Sequence, residues 1–261
     1  MMPPDRKPDG PKVVLLCIDS LSSRVVANAL HEAGLLSTLV IEKKISSRLL
    51  LRNRIRRLGL PAVLGQLLFK LWTLPLQRRS GQRIQEILRE RGLKHAAFPH
   101  VDTHHVPSVN APECLSILAE LRPAVCVING TRIVSSRTLD SIDAPFVNTH
   151  CGITPNYRGV HGGYWAVRNQ DIDNFGSTIH FVDSGIDTGQ VIEQVFVKPE
   201  PGDGFYTYPV LQTSAAMPAL CRIVRTLAHG GEVTTLDRRG QASRLFHHPT
   251  LAQYLSGRKV P

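Results

Sequence analysis

Short continuous apolar runs alternate with amphipathic stretches over the first 150 residues. Val13–Ile18 is apolar throughout and ends at Asp19, the pattern of a strand buried on both faces of a parallel sheet. Residues 20–33 suit a helix that Gly34 stops. Residues 37–44 read as a second strand and 95–101 as a weaker third. A helix opening near Asn110 and Pro112 runs to Leu121, and residues 124–130 form a fourth strand. A short helix covers 135–142, and Phe146–His150 is a strand with a polar end. Strand and helix in alternation predict an open, mostly parallel α/β sheet, with ligands outside the carboxyl ends of its strands.

The pattern then changes. A loop rich in Gly, Pro and Asn follows His150, and residues 164–169 fit a short helix. Residues 177–183 and 190–198 alternate as paired strands joined by a Gly-flanked loop. A helix is expected from Tyr206 to His229, interrupted by Pro209 and Pro218. Residues 1–200 are read as one catalytic domain, with 201–261 a helix and tail packed on it.

One stretch breaks the rhythm. Between residues 45 and 82, leucines recur at helical spacing, which predicts a helical insertion after the second strand. Charge singles out the same region. The 261-residue chain carries a net charge of +10, and fourteen Lys or Arg stand against three acids between Ile41 and His95. The rest is therefore close to neutral. The insertion is too interrupted to span a bilayer. It reads as scaffold at the domain edge or as an amphipathic surface for anionic lipid, ahead of any specific nucleic-acid role.

Composition removes other classes. Hydrophobic residues make up 42% and charged residues 20%, ordinary for a chain with a sizeable core. The five cysteines are scattered and never in C-x-x-C spacing, which excludes a zinc ribbon or redox pair and favours a reducing compartment. The polar N-terminus, followed by only six apolar residues, shows no signal peptide or spanning helix. A cytoplasmic protein, with contact to the inner membrane face left open, is the expectation.

Asn148, His150 and Asp187 are the candidate chemistry. Alternation puts Asn148 and His150 on one face of a strand end, and Asp187 lies in the later Gly-flanked loop. An amide donor, an imidazole and a carboxylate suit attack on a carbonyl carbon: one stabilises an oxyanion, one moves a proton, one orients the imidazole.

The surrounding residues sharpen this. Asn148, His150, Pro155, Tyr157 and Gly159 follow the order N-x-H-x-S-L-L-P-x-Y-x-G, and Asp187-Thr188-Gly189 supplies D-x-G. Upstream, Gly130, Arg132, Ile133 and Val134 look like a G-x-x-R-I-L stretch with one residue fewer between the glycine and the arginine. The chain thus resembles the formyltransferases that use 10-formyltetrahydrofolate: glycinamide ribonucleotide, methionyl-tRNA and sugar N-formyltransferases. The resemblance covers roughly residues 95–200 and departs at Cys151–Thr154, where the family has x-S-L-L. It implies a Rossmann-like sheet, no metal, Asn148 and His150 at the formyl oxygen, and Asp187 positioning His150. It also implies a folate pocket between Gly130, Arg132, Ile133, Val134 and a loop containing Asp183 and Gly185.

The acceptor is read by elimination among relatives. After the first strand, where the purine enzyme has a glycine-rich phosphate loop, no glycine is present, though Ser20 and Ser22 are still expected to bind an anionic part of the substrate. Only 61 residues follow Glu200, too few for the tRNA enzyme's C-terminal barrel. The expectation is a primary amine on a small metabolite, a nucleotide-linked amino sugar above all, with Arg158, His161, Tyr164 and Trp165 beside it. A purine-type enzyme and a non-catalytic basic module are the alternatives, and a homodimer is left open. His100–His105 reads as a polar loop rather than a metal cluster, Cys151 as no nucleophile, and His180 as a sheet-packing residue.

Overall fold

The computed structural model describes residues 10–256. The polar stretch 1–9 and the tail's last residues, 257–261, lie outside the described residues. In chain order the elements are β1 (Val13–Cys17), α1 (Leu21–Glu32), β2 (Leu36–Glu42), α2 (Ser47–Leu58), α3 (Leu60–Trp72), α4 (Leu74–Glu90) and β3 (Asp102–Val106). Then come α5 (Pro112–Leu121), β4 (Val125–Asn129), α6 (Ser136–Leu139), β5 (Phe146–His150), β6 (Arg158–Gly159) and α7 (Gly162–Arg168). The chain continues through β7 (Gly176–Phe181), β8 (Val191–Phe196), α8 (Tyr208–Ala228), β9 (Leu245–Phe246) and α9 (Leu251–Ser256).

Seven strands form one sheet in the order β3-β2-β1-β4-β5-β7-β8. The first five are parallel; β7 pairs antiparallel with β5, and β8 pairs antiparallel with β7. This is the mostly parallel α/β architecture the sequence predicts. The chain grows outward from β1 to β3, then returns to β4 on β1's other side, so strand order reverses between β1 and β4. A crevice opens at the carboxyl ends there.

Every residue of β1 is buried because both faces are covered. Val13, Leu15 and Cys17 join Val26, Leu30, Leu220 and Val224 of α1 and α8. Val14 and Leu16 face the other way, with Cys114 and Leu118 of α5. Period-two alternation thus feeds two cores from one strand. The Ser20 hydroxyl caps α1 by accepting from the Ser23 N–H at 3.2 Å.

Three expectations need correction. Residues 95–101 form no strand; the third strand is β3, so the stretch containing His100, Asp102, His104 and His105 is largely sheet edge rather than loop. Polar residues suffice there because an edge strand bonds on one side only and turns side chains to water. Pro99, which lacks an N–H, keeps the earlier apolar run out of the ladder. Pro209 sits in the first turn of α8 and leaves it unbroken, while Pro218 lies inside the continuous helix.

The insertion is three helices, α2 to α4. Helix α3 buries one stripe, Val63, Gln66 and Phe69, and Gly65 lies so close to Thr250 at the start of α9 that a Cβ would clash. Helix α4 is tied to the loop before α8 by Arg83, which binds Asp203 at 3.0 Å and Glu200 at 2.8 Å. Helix α2 buries no residue at all.

Candidate active site

Register brings the chemistry together. Asn148 of β5 lies directly opposite His180 of β7, and His150 lies opposite Thr178. Non-hydrogen-bonded or not, directly paired residues on one sheet face meet. Asn148 Nδ2 lies 3.2 Å from His180 Nε2, while His180 Nδ1 lies 2.7 Å from the Phe181 carbonyl. An Nδ1–H donated to that carbonyl leaves Nε2 as acceptor for one amide hydrogen of Asn148. The second amide hydrogen remains for the cavity.

Asp187 reaches the same point from the β7–β8 loop. Its Oδ2 lies 3.4 Å from His150 Nδ1 and its Oδ1 3.6 Å from His180 Nε2. The residue takes a left-handed conformation, φ 50°, which needs bracing in a non-glycine residue. The Gly159 N–H donates to Asp187 Oδ2 at 2.9 Å, and Arg158 holds the Ile186 carbonyl at 3.1 Å. Asp183 accepts from the Gly185 N–H and the Thr188 hydroxyl, stiffening the loop from its start. A Cβ at Gly185 would collide with the Thr188 hydroxyl.

His150 is 7% exposed, and its Nε2–H donates to the Tyr157 carbonyl at 2.7 Å. That bond commits one nitrogen, so Nδ1 carries the titrating proton, facing Asp187. Burial holds the His150 pKa below the ordinary imidazole value, against the pull of Asp187. Asp187 itself is pushed up by burial, but the charge of His150 and the Gly159 N–H outweigh this and bring it down to about 2. The carboxylate is therefore ionised, and the imidazole is a buried base that gains a stabilised proton once one is delivered.

A cavity of about 530 Å³ opens onto Asn148, His150 and Asp187. Its other wall is the stretch Gly130–Val134 past the end of β4, with Asp183 and Gly185 opposite, so all six residues assigned to a folate pocket line one space. Gly130 adopts φ 70°, the left-handed turn that carries the chain off β4. The Arg132 guanidinium faces away from any ligand role. It pairs with Glu42, 2% exposed, at 3.0 Å and holds the Pro107 and Lys43 carbonyls, locking three strand ends together. What Arg132 offers the cavity is backbone, and Ile133 offers an exposed apolar side chain.

The acceptor-side residues divide. His161 lines the cavity and lies 2.9 Å from His248, a residue sequence reasoning missed. Arg158 backs the Asp187 loop as described. Tyr164 and Trp165 do not reach the cavity: helix α7 turns them into an aromatic cluster with Phe205 and Phe246, and Trp165 donates to the His247 carbonyl. Ser20 and Ser22 sit at the carboxyl end of β1, where Ser22 and Ser23 both donate to Asn129 Oδ1. Cys151 packs against Thr213, and burial raises its pKa, so the thiol stays protonated. Among the described residues no group of three or more His, Cys, Asp or Glu is placed to hold a metal ion.

Residues 89–207 match the model of the formyl transferase family, which upholds the resemblance read from the motifs. Over 114 residues the chain is 29% identical to the methionyl-tRNA formyltransferase of Trichlorobacter lovleyi, a match covering 43% of this chain and 34% of that protein. The match thus spans about a third of that relative's length. Among solved structures, glycinamide ribonucleotide transformylase 1 from Symbiobacterium toebii superposes with a TM-score of 0.56 at 17% identity, covering 87% of this chain and 95% of the other. A sugar N-formyltransferase from Shewanella sp FDAARGOS_354 gives 0.55 at 14% identity, covering 95% and 86%. The fold is that of these enzymes.

Proposed function

We propose that this chain, which carries a formyl transferase domain stretch, transfers the formyl group of 10-formyltetrahydrofolate to a primary amine. The observation that carries the reading is the meeting of Asn148, His150 and Asp187 at one cavity wall, with Asn148 bonded to His180 and Asp187 3.4 Å from His150. A cavity of about 530 Å³ lies in the usual range for cofactor-sized sites. Its backbone-lined Gly130–Val134 wall and the exposed Ile133 suit a flat, hydrogen-bonding ring edge. The folate supplies an activated formyl carbon.

The chain's own groups would work as follows. Asn148, held by His180, donates its free amide hydrogen to the formyl oxygen as negative charge develops there. His150 Nδ1 would accept the proton that the attacking amine must lose and return it to the folate's leaving nitrogen as the bond from that nitrogen to the formyl carbon breaks. The resulting imidazolium is held between the Tyr157 carbonyl and the Asp187 carboxylate, two acceptors already in place. Burial keeps water from competing.

For the acceptor we favour the amino group of a sugar carried on a phosphate, nucleotide-linked sugars first. In support, the hydroxyls beyond β1 are turned onto Asn129 and one another rather than outward, unlike a loop built for a ribonucleotide phosphate. Tetrahydrofolate release followed by absorbance, with a panel of nucleotide-linked amino sugars, tests the reading. Acceptor-dependent release that Asn148→Ala abolishes supports it; no release with any primary amine sinks it.

A further inference from the structure

Beside the catalytic cavity lies a second one, of about 550 Å³, sharing His161, Pro209 and His248 with it. Its roof is the insertion: Leu50, Leu51 and Arg54 of α2, and Val63, Gln66, Leu67, Phe69 and Lys70 of α3. Phe205 and Tyr206 form part of its floor. Three features point to a ligand. Arg54 and Lys70 make no ion pair with any described residue. Gln66, 8% exposed, donates to the His248 carbonyl but leaves its buried Oε1 without a hydrogen-bond partner. The remaining wall is apolar and aromatic. Cations, an unanswered acceptor and an apolar wall describe an anionic molecule with hydroxyl or N–H donors and a flat or aliphatic part.

We infer that this chamber binds the phosphate-bearing carrier of the acceptor, with Arg54 and Lys70 on the phosphate and Gln66 Oε1 taking a donor from the sugar or base. The inference rests on the formyl-transfer reading, and it makes the insertion the part of the enzyme that selects the acceptor. The carrier phosphate has two sources, a nucleotide diphosphate or a lipid phosphate. Calorimetric titration of the full chain with uridine diphosphate and with farnesyl phosphate separates them, inorganic phosphate serving as control. One ester is expected to bind, at least tenfold more weakly after Arg54→Gln with Lys70→Gln, with recovery in Arg54→Lys. Tighter uridine diphosphate names a nucleotide carrier, and tighter farnesyl phosphate a lipid one. Undiminished binding in the double variant, or no binding of either ester, overturns the site. Asn148→Ala should bind as wild type, so a failure of catalysis is distinguishable from a failure of the chamber.

A different observation carries a second inference. Of eighteen large hydrophobic side chains exposed among the described residues, eleven lie between Leu49 and Leu76. With Val63, Gln66 and Phe69 packed inward, α3 turns Leu60, Leu64, Leu68, Leu71 and Trp72 outward, up to 64% exposed. Arg48, Arg52, Arg56 and Arg57 of α2 make no ion pair with described residues. No described helix is long and apolar enough to cross a membrane. An apolar face bordered by unpaired arginines complements an anionic bilayer surface. We propose that α2 and α3 dock there peripherally. Co-sedimentation with phosphatidylcholine vesicles, with and without phosphatidylglycerol, tests this at low salt. Binding should need the anionic lipid and fall at least tenfold in Arg52→Gln/Arg56→Gln/Arg57→Gln, since each basic residue contributes roughly fivefold. Leu64→Asp with Leu68→Asp, at exposed positions that folding does not need, should abolish it. No co-sedimentation, equal partition onto uncharged vesicles, or a dimer that Leu64→Asp/Leu68→Asp dissociates and vesicles do not displace would each overturn it.

Discussion

At the carboxyl edge of the sheet, the candidate catalytic groups are few, buried and answered; along α2 the charged groups are many, exposed and without ion pairs among the described residues. Asp187 alone meets His150, His180 and the Gly159 N–H within 3.6 Å. The arginines of α2 meet no carboxylate among the described residues, and the leucines beside them have no cover. Both regions combine charge with apolar surface, and burial makes the difference. In the first, a low local dielectric makes each pairing consequential, so geometry is fixed before any ligand arrives. In the second, water screens the charges and the apolar face retains free energy that only a partner can recover. One region is finished by the fold, and the other is finished by what binds it.

Substitutions break this contrast most sharply at the edge. Asn148→Ala and Asp187→Asn should each lower turnover by about two orders of magnitude or more, the scale of losing a preorganised donor or orienting charge, in the tetrahydrofolate-release assay. Circular dichroism should stay unchanged, as neither residue builds the core.

Next comes packing. Leu220→Ala, in the core that α8 makes with the sheet, should cost about 2–5 kcal/mol in urea unfolding. Leu64→Ala in the insertion, 54% exposed, should stay within about 0.5 kcal/mol. Equal costs would mean that the outer face of α3 is covered after all.

Acid sharpens the comparison further. Asp187 is ionised with a pKa of about 2 against an ordinary 3.8, so its folded pKa is depressed. The stability it contributes is present above pH 4 and lost as pH falls towards 2, about 2 kcal/mol in order of magnitude. Asp187→Asn should flatten that part of the stability curve. Because the Asp187 charge raises the His150 pKa, the same variant's residual activity should persist to lower pH than wild type.

The smallest effect is at helix caps. Ser20→Ala removes the cap of α1, which is packed on the sheet, and should cost about 1 kcal/mol, read as a lower Tm. Ser46→Ala removes the cap of α2 and should lower Tm by less, because no residue of α2 is fully buried.

The sequence by itself determined the parallel sheet, the helical insertion after β2 and the residues proposed to form the catalytic cluster. Buried strands must be apolar on both faces, helices must show a 3.6-residue period, and an N-x-H strand end must present both side chains together. It missed what depends on non-local geometry. His180 read as packing or hydrogen-bonding within the sheet, but only the β5–β7 register makes Asn148 its partner. Arg132 read as part of a largely backbone-held folate wall, but nothing local shows that Glu42, 90 residues earlier in the chain, takes its charge. Tyr164 and Trp165 looked like acceptor contacts until α7 turned them into the aromatic cluster. The second chamber needed α2, α3 and His248 in one place, residues from opposite ends of the chain. Periodicity reports which face of an element is apolar. Only tertiary packing decides what that face meets, because the energies of pairing, burial and register belong to contacts between elements rather than to either element alone.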